Sequence, residues 1–196
     1  MDIKSVKIAG LTLVAIFFAA CATEAPAPGF PQVSFSHLQP ILLNVERIEV
    51  ENRYVSPAAR PNVEHQFPSS PAVVATNWGR DRLRAVGSSG VARVIVRQAS
   101  VVEVPLKKSE GLKGIFTRDQ SERYDAMIDM LAEIRDENGD VRVKVESRVS
   151  RSQTVPENTS LIKRETVWFE MTEAMMKDLN KTLEKQIRIH MKSWVR

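Results

Sequence analysis

Cysteine is almost absent from this sequence, with Cys21 the only one among 196 residues. A single thiol excludes an intramolecular disulfide, a multi-cysteine zinc site and a dithiol redox motif. Histidine is also scarce, and His37, His65 and His190 lie too far apart in the chain to form a ligand-spaced cluster. The sequence therefore predicts no metal site and no cofactor.

The known catalytic signatures are missing as well. The chain contains no Gly-x-Ser-x-Gly elbow, no glycine-rich phosphate loop and no His-Glu-x-x-His pair. His190 falls on the apolar side of a C-terminal helical pattern, where we expect a packed, hydrogen-bonded side chain. We therefore expect that this protein is not an enzyme, with catalysis by residues that meet only in the fold as the alternative.

Charge of one sign is not strongly in excess. The 28 Lys and Arg residues against 24 Asp and Glu residues give a net charge of +4, which is too small to indicate a nucleic-acid partner. A hydrophobic content of 43% and a charged content of 27% are typical of a folded domain with one core.

What the sequence does contain begins at its N-terminus. Lys4 and Lys7 precede an apolar run over residues 8–20, which is shorter than the ~20 residues of a membrane-spanning helix. Phe-Ala-Ala-Cys at residues 18–21 resembles the lipobox of bacterial lipoproteins, although Phe18 stands where that family usually has an aliphatic residue. The resemblance implies that residues 1–20 are a signal peptide, and that Cys21 is lipidated and acylated. Ala22, in place of an aspartate, then favours sorting to the outer membrane. The alternative is an ordinary secretory signal cut near Ala20, with Cys21 an incidental thiol.

A proline-rich stretch follows the cysteine. Residues 22–32 carry three prolines and show no periodicity, which indicates an extended tether. We therefore divide the chain into a signal peptide at 1–20, a lipidated cysteine with its tether at 21–34, and a single periplasmic α/β domain at 35–196.

The first half of that domain shows alternating strands and one helix. Residues 41–52 predict one strand with a bulge near Glu46–Arg47, and residues 53–70 predict a loop, ordered or mobile. Ser69-Ser70-Pro71 predicts a helix start and Gly87 its end, with Arg82 near the C-terminus snorkelling to solvent. Residues 91–105 predict a second strand. The apolar tip of the next loop, at Leu112, Ile115 and Phe116, is expected to be buried, or else to meet a membrane or a partner.

The segment 122–135 fits both a helical stripe and a strand alternation. Because Asn138-Gly139 is a strong hairpin signal, and a period-2 pattern follows from Val141, we predict a strand. From near Asn158 to the C-terminus, apolar residues at spacings of three and four predict a long amphipathic helix, with a break near Glu170–Thr172 as an alternative.

Together these elements predict an α+β fold. A four-stranded, largely antiparallel sheet carries two helices on one face, in the order β-α-β-β-β-α, and ends in the long helix.

Basic residues recur on the outer side of the predicted last helix. Their spacing of three and four places them on one face, where they would contact an anionic surface such as phospholipid headgroups, lipopolysaccharide phosphates or an acidic partner. A solvated helix face is the alternative. The candidate contact residues are Lys177, Lys181, Lys185, Arg188 and Lys192, with Arg80 and Arg84 on the first helix.

The lipobox, the tether and the predicted body together resemble two groups of envelope lipoproteins. One is the small lipoprotein that plugs the lipopolysaccharide-translocating outer-membrane barrel, and the other is the auxiliary lipoprotein of ABC-type transport systems. The helix with Ser70-Pro71, Trp78 and Arg82-Leu83 is similar to the first helix of the auxiliary group. No binding residue carries over, because no functional motif of either group matches.

The resemblance implies an accessory lipoprotein on the periplasmic face of the outer membrane of a Gram-negative bacterium. Its partner would be a protein of an envelope transport or assembly complex, and no nucleic acid is expected. Two alternatives stay open. One is direct binding or carriage of envelope lipid or lipopolysaccharide in an apolar cleft between sheet and helices, and the other is activation of cell-wall synthesis.

Overall fold

The computed structural model describes residues 29–106, 120–156 and 158–196. The signal peptide, Cys21 and the apolar tip at Leu112, Ile115 and Phe116 lie outside the described residues. Among the described residues, no helix combines the length and the apolarity needed to cross a membrane.

The main sheet has four strands in the order β2-β4-β5-β6. Strand β4 pairs antiparallel with β5, and β5 with β6, whereas the short β2 runs parallel to β4. The predicted α+β class with a largely antiparallel four-stranded sheet is confirmed. The strands are β2 (Arg47–Asn52), β4 (Val91–Pro105), β5 (Gln120–Arg135) and β6 (Val141–Pro156).

The ambiguous segment 122–135 forms a strand, β5, as predicted. Gly139 has a φ of 85°, which the turn between β5 and β6 requires and which glycine adopts without a steric cost. Tyr124, Ile128 and Ile134 are fully buried. They lie at even-numbered positions of β5, as expected when alternate residues of a strand face the same side. The strand pattern therefore prevails over the helical one because β4 and β6 supply partners along both edges.

The predicted first strand is wrong, since it divides into two strands that belong to different sheets. Strand β1 (Ile41–Leu43) pairs in parallel with β3 (Leu83–Ala85), and β2 begins only at Arg47. The slip near Glu46–Arg47 is thus a break between two elements and not a bulge within one.

The first helix is shorter than predicted. Helix α1 (Pro71–Arg82) starts after Ser70 as expected, although the Ser70 side chain makes no capping hydrogen bond. It ends before Gly87 because Leu83 turns to an extended conformation and enters β3, where pairing with β1 supplies hydrogen bonds and buries Leu83.

Helix α2 (Leu161–His190) is continuous over 30 residues. Ser160 caps it by accepting a hydrogen bond from the Lys163 backbone N–H, at 3.4 Å. Thr172 is buried and donates to the Trp168 carbonyl at 3.0 Å, so it does not begin a second helix. The expected packing of His190 is wrong, because this side chain is exposed.

Both helices cover the same face of the sheet. Trp78 of α1, Leu179 and Leu183 of α2, and Met130 and Ile134 of β5 belong to one buried cluster. Val195, after α2, pairs with Leu43 and joins the chain's C-terminal segment to β1.

The loop between β2 and α1 is ordered and extends the sheet edge. The Val63 N–H donates to the Val101 carbonyl (2.9 Å), and the Glu103 N–H donates to the Pro61 carbonyl (2.8 Å). The buried Glu64 carboxylate accepts hydrogen bonds from Tyr54, Ser56, Asn62 and the Val101 N–H, and so holds the loop on β4.

Candidate contact surface for anionic groups

Four predicted contact residues, Lys177, Lys181, Lys185 and Arg188, form one exposed face of α2, and exposed Lys192 follows in the short 3-10 helix Lys192–Trp194. We call these five residues the basic stripe. The α2 side chains that face the core, Leu179, Leu183 and Ile187 among them, lie on the opposite side of the helix. At about 100° per residue, Lys177, Lys181, Lys185 and Arg188 fall within an arc of about 80°. The fold therefore groups these four predicted residues on one helix face, with Lys192 just beyond the end of the helix.

The two remaining predicted residues lie elsewhere. Arg80 is exposed on α1, and no hydrogen bond or ion pair among the described residues joins it to the basic stripe. Arg84 is also exposed, but it belongs to β3 and not to the first helix as predicted.

The structure adds one arginine beside Arg84. Arg84 lies opposite Leu42 in the pairing of β3 with β1, and on the other side of β1 the Arg196 N–H donates to the Leu42 carbonyl at 3.0 Å. Since neighbouring strands lie about 4.8 Å apart, Arg84 and Arg196 are about 10 Å from each other. Both are exposed, and both lie at the end of the molecule where α2 finishes.

The lysines of the basic stripe differ from its arginine in their partners. Within the described residues, no ion pair involves Lys177, Lys181, Lys185 or Lys192, whereas Arg188 binds Glu184 through two hydrogen bonds of 3.0 and 2.8 Å. The four lysines thus present charges that the described part of the fold does not neutralise.

Glu184 also binds a second arginine, the buried Arg82 of α1. Arg82, only 2% exposed, donates to Glu184 at 2.6 Å, to Asn180 at 3.0 Å and to the Gln39 carbonyl. Burial acts to raise the pKa of Glu184, but the Arg188 hydrogen bond and the charges of Arg82 and Arg188 hold that pKa below its ordinary value. Arg82 does not snorkel as predicted, because these three acceptors satisfy its guanidinium inside the fold.

The open face of the sheet carries many charges, and its arginines are paired with carboxylates, whereas Lys144 has no ion pair among the described residues. Asp129, 3% exposed, accepts two hydrogen bonds from Arg97 and two from Arg148, at 2.5–2.9 Å. Burial acts to raise the pKa of Asp129, and the bonds from Arg148 and Arg97 outweigh it and lower the pKa. Arg93 similarly bridges Glu51 and Glu133, at 2.9 and 3.5 Å. We call this surface the ion-paired face.

The chain enters the fold along α2. The Phe30 ring packs on Phe169, with ring centroids 5.3 Å apart, and Asp81 of α1 accepts hydrogen bonds from Ser34 and the Phe35 N–H at 3.0 and 2.8 Å. A groove of about 560 Å³ lies between this entering segment and α2. It is lined by Val33, Phe35, Leu38, Glu173, Ala174 and Lys177 among others.

A second groove of about 520 Å³ borders the basic stripe. Lys181, Lys185 and the apolar Ile189 line it, and Ile189 is 56% exposed. An apolar side chain therefore lies beside two unpaired lysines on the same helix surface.

The histidines are not brought together. His37, His65 and His190 are each exposed on different elements. Across residues 29–106, 120–156 and 158–196, no group of three His, Cys, Asp or Glu side chains has the arrangement of a metal site.

Sequence reasoning missed the buried polar groups Arg82, Asp129 and Glu64. For Asp129, the alternation of β5 gave the correct face, but it could not show that two arginines from neighbouring strands close over the carboxylate. For Glu64, the loop offered no periodic signal at all.

Comparisons with solved structures found distant similarities. A minor lipoprotein from Acinetobacter baumannii is 12% identical, with 74% of this chain and 92% of that chain covered and a TM-score of 0.38. Rare lipoprotein B from Shewanella oneidensis is 12% identical, with 71% and 92% covered and a TM-score of 0.36. Protein XCC0632 from Xanthomonas campestris is 12% identical, with 82% and 93% covered and a TM-score of 0.26.

No protein-family model and no curated protein matches the chain. At these TM-scores the similarities assign neither a family nor a function.

Proposed function

We propose that this protein is a non-catalytic, lipid-anchored accessory of a cell-envelope transport or assembly complex, held at the periplasmic face of the outer membrane. The observation that carries the proposal is the series Phe18-Ala19-Ala20-Cys21, with the only thiol of the chain at the position of the lipidated residue. A proline-rich segment follows it, and the chain then reaches the folded body at Phe30, against the surface of α2. Acyl chains at ~0.8 kcal/mol per buried methylene would make that anchor stable.

Replacing the thiol tests the anchor. We expect Cys21→Ser to leave the fold intact and to release the protein into the soluble periplasmic fraction after a wash at high salt, which removes electrostatic adsorption. Ala22→Asp is the matched variant, since it keeps the thiol and should leave the protein membrane-bound but move it to the inner membrane. The anchor assignment is wrong if the Cys21→Ser protein resists the salt wash as the unmodified protein does.

The accessory role is tested by crosslinking in the native envelope, followed by identification of the captured proteins. A transporter subunit or an outer-membrane barrel supports the proposal, and a cell-wall synthase would support the activator role instead. A protein that stays monomeric and uncrosslinked would contradict both.

A second candidate function is the direct binding of envelope lipid. The groove between residues 33–38 and α2 favours it, because Val33, Phe35, Leu38 and Ala174 give this groove an apolar part next to its charged rim. That rim holds Glu170 and Glu173 as well as Lys177. An acyl chain would lie against the apolar side chains, and its headgroup phosphate would face Lys177. Mass spectrometry of the Cys21→Ser protein under native conditions tests this, and the absence of any copurified lipid would exclude it.

A further inference from the structure

We propose that the folded body lies on the membrane with the outer face of α2 against anionic phospholipid headgroups and the ion-paired face of the sheet turned away. The inference rests on the proposed anchor for its location, and it adds an orientation and a lipid class to that function. It is carried by the unequal neutralisation of the two faces, by the type of cation on α2 and by the place where the chain enters the fold.

The two faces differ in how many of their cations lack a carboxylate partner within the protein. On the ion-paired face, Arg93, Arg97 and Arg148 are each bound to carboxylates at 2.5–2.9 Å. The four lysines of the basic stripe, on α2 and just after it, have no carboxylate partner among the described residues. Unpaired cations are therefore concentrated on the α2 side, whereas on the sheet side the arginines are bound to carboxylates and Lys144 is the exception.

The cation type favours a fluid surface over a fixed protein partner. An ammonium group on a flexible stem acts as a point charge that follows moving headgroups, whereas a guanidinium fork matches one fixed carboxylate or phosphate. In this fold the sheet uses arginine for its fixed ion pairs, and four of the five cations of the basic stripe are lysines.

The shape of the stripe suits a plane. From Lys177 to Arg188 the side chains span about 17 Å along the axis of α2 within a narrow arc, so these four reach one flat surface together, and Lys192 follows just beyond the end of the helix. Ile189, 56% exposed beside Lys181 and Lys185, lies where an apolar side chain can enter the headgroup region.

The tether places the anchor within reach of that plane. Cys21 precedes Phe30 by nine residues, which span at most about 30 Å when extended. Phe30 packs on Phe169, and Lys177 follows Phe169 by eight residues, or about 12 Å along α2. Because the anchor already holds the body near the bilayer, even weak attraction by four lysines is sufficient to orient it.

Vesicle binding tests the lipid class without depending on lipidation. The full chain carrying Cys21→Ser is sedimented with vesicles of phosphatidylcholine alone, or of phosphatidylcholine mixed with phosphatidylglycerol. We expect binding only with phosphatidylglycerol and its loss at high salt. Replacing Lys177, Lys181, Lys185 and Lys192 together by Gln should weaken that binding about tenfold or more.

The matched control is Arg47, Arg60, Arg142 and Lys144 replaced together by Gln, which removes the same charge from exposed positions outside α2. It should retain most of the binding, and thermal unfolding should confirm that both variants are folded. Equal binding by the two variants, or equal binding to both vesicle types, would overturn the proposal. Absence of vesicle binding together with loss of a protein crosslink in the lysine variant would overturn it too, and would assign the stripe to an acidic protein.

Orientation is measured on the lipidated protein reconstituted into vesicles with phosphatidylglycerol. A fluorophore on Ile189→Cys should be quenched by a lipid-borne quencher, whereas one on Lys144→Cys, on the ion-paired face, should not. The reverse pattern would overturn the orientation while leaving the anchor intact. Failure of the anchor itself is recognised separately, from the salt-resistant membrane association of Cys21→Ser in cells.

Discussion

At the scale of single residues, Arg82 connects more parts of the structure than its position in the sequence indicates. It connects the entering chain at Gln39 to Asn180 and Glu184 of α2, and Asn180 also accepts a hydrogen bond from Trp78 at 2.8 Å. Arg82 uses three different nitrogens for its three acceptors, whereas a lysine carries its three donors on one nitrogen and cannot reach all three positions.

We therefore expect Arg82→Met to lower the free energy of unfolding by about 1–3 kcal/mol, because the Gln39 carbonyl and one oxygen of Glu184 lose their Arg82 donors and the link between the entering chain and α2 is broken. Arg82→Lys should recover only part of that loss. Chemical denaturation by urea measures both. Arg80→Met is the control, since Arg80 lies exposed two residues earlier on the same helix and should change stability by no more than about 0.5 kcal/mol. A similar loss in the two methionine variants would disprove this role of Arg82.

Glu64 is a second buried residue with a defined set of partners. One carboxylate oxygen accepts from Tyr54 (2.7 Å) and Ser56 (2.5 Å), and the other accepts from Asn62 (3.3 Å) and the Val101 N–H (3.0 Å). Burial acts to raise the pKa of Glu64, but the bonds from Ser56 and Tyr54 lead the effects that keep it below the ordinary value.

A glutamine replaces this carboxylate only in part, although its shape is nearly the same. With its NH₂ group toward Tyr54 and Ser56 the amide can donate to both hydroxyls, but the negative charge that strengthens all four hydrogen bonds is lost. We expect Glu64→Gln to cost about 1–2 kcal/mol of unfolding free energy and to increase proteolysis between β2 and α1. His65→Gln, at the exposed neighbouring position, should have neither effect. Wild-type protease resistance in Glu64→Gln would contradict the role given to this side chain.

At the scale of elements, local signals predicted those structures whose partners are adjacent in the chain. Strand β5 could be predicted because the turn at Asn138-Gly139 brings β6 beside it, and β4 because its β-branched run ends at Pro105. The division of residues 41–52 into two strands could not be predicted, because the partner of β1 is β3, some forty residues away in the chain. For the same reason the end of α1 was placed too late, since pairing with β1 is what makes Leu83 extended.

Gly87 is another position whose role depends on a segment distant in the chain, and it leads to a prediction. Its position suggested the end of a helix, but in the fold it lies after β3, where an added Cβ would be 2.6 Å from the Asn44 carbonyl carbon and 2.7 Å from the Val45 nitrogen. Both are main-chain atoms, so the contact between β1 and β3 must open to admit a side chain.

We expect Gly87→Ala to lower the unfolding free energy by about 1–3 kcal/mol, the usual cost of overpacking. Thermal denaturation measures the loss. Gly29→Ala is the matched control, because an added Cβ there would meet no atom within 4 Å. Equal melting temperatures for the two variants would show that the main chain around Asn44 yields without cost.

At the scale of the whole molecule, composition and periodicity were sufficient for the α+β class, for the three long strands and for the common face of the two helices. They also placed Lys177, Lys181, Lys185 and Arg188 on the outer side of α2, because the outer side of a helix follows from its buried side. The ion pair of Arg188 with Glu184 follows from their four-residue spacing on α2. That Arg82 of α1 binds the same carboxylate could not be foreseen, because it depends on how the two helices pack. The paired state of the opposite face likewise depends on strand register, which brings Asp129 beside Arg148.

The pairing of Asp129 with Arg148 leads to a prediction about the stability of the protein at low pH. The pKa of Asp129 lies below its ordinary value of 3.8 in the folded protein, so folding is favoured by the ionised carboxylate. The resulting stability is fully present above the pKa of the unfolded chain, near pH 4, and is lost as pH falls through the lower folded value. We therefore expect the unfolding free energy to fall progressively from about pH 5 downward.

Asp129→Asn should lower the unfolding free energy by about 2–4 kcal/mol at neutral pH, because four charge-assisted hydrogen bonds from two arginines lose their anion. It should also make the decline between about pH 5 and pH 2 shallower, since the variant has no carboxylate to protonate at this position. Denaturant unfolding at a series of pH values measures both effects. Gly87→Ala serves as the control, because it is expected to lose stability without removing a titratable group, and so to keep the wild-type slope. If Asp129→Asn also kept that slope, the acid response would have to come from carboxylates elsewhere, and the ion-paired face would contribute shape and solubility but little stability.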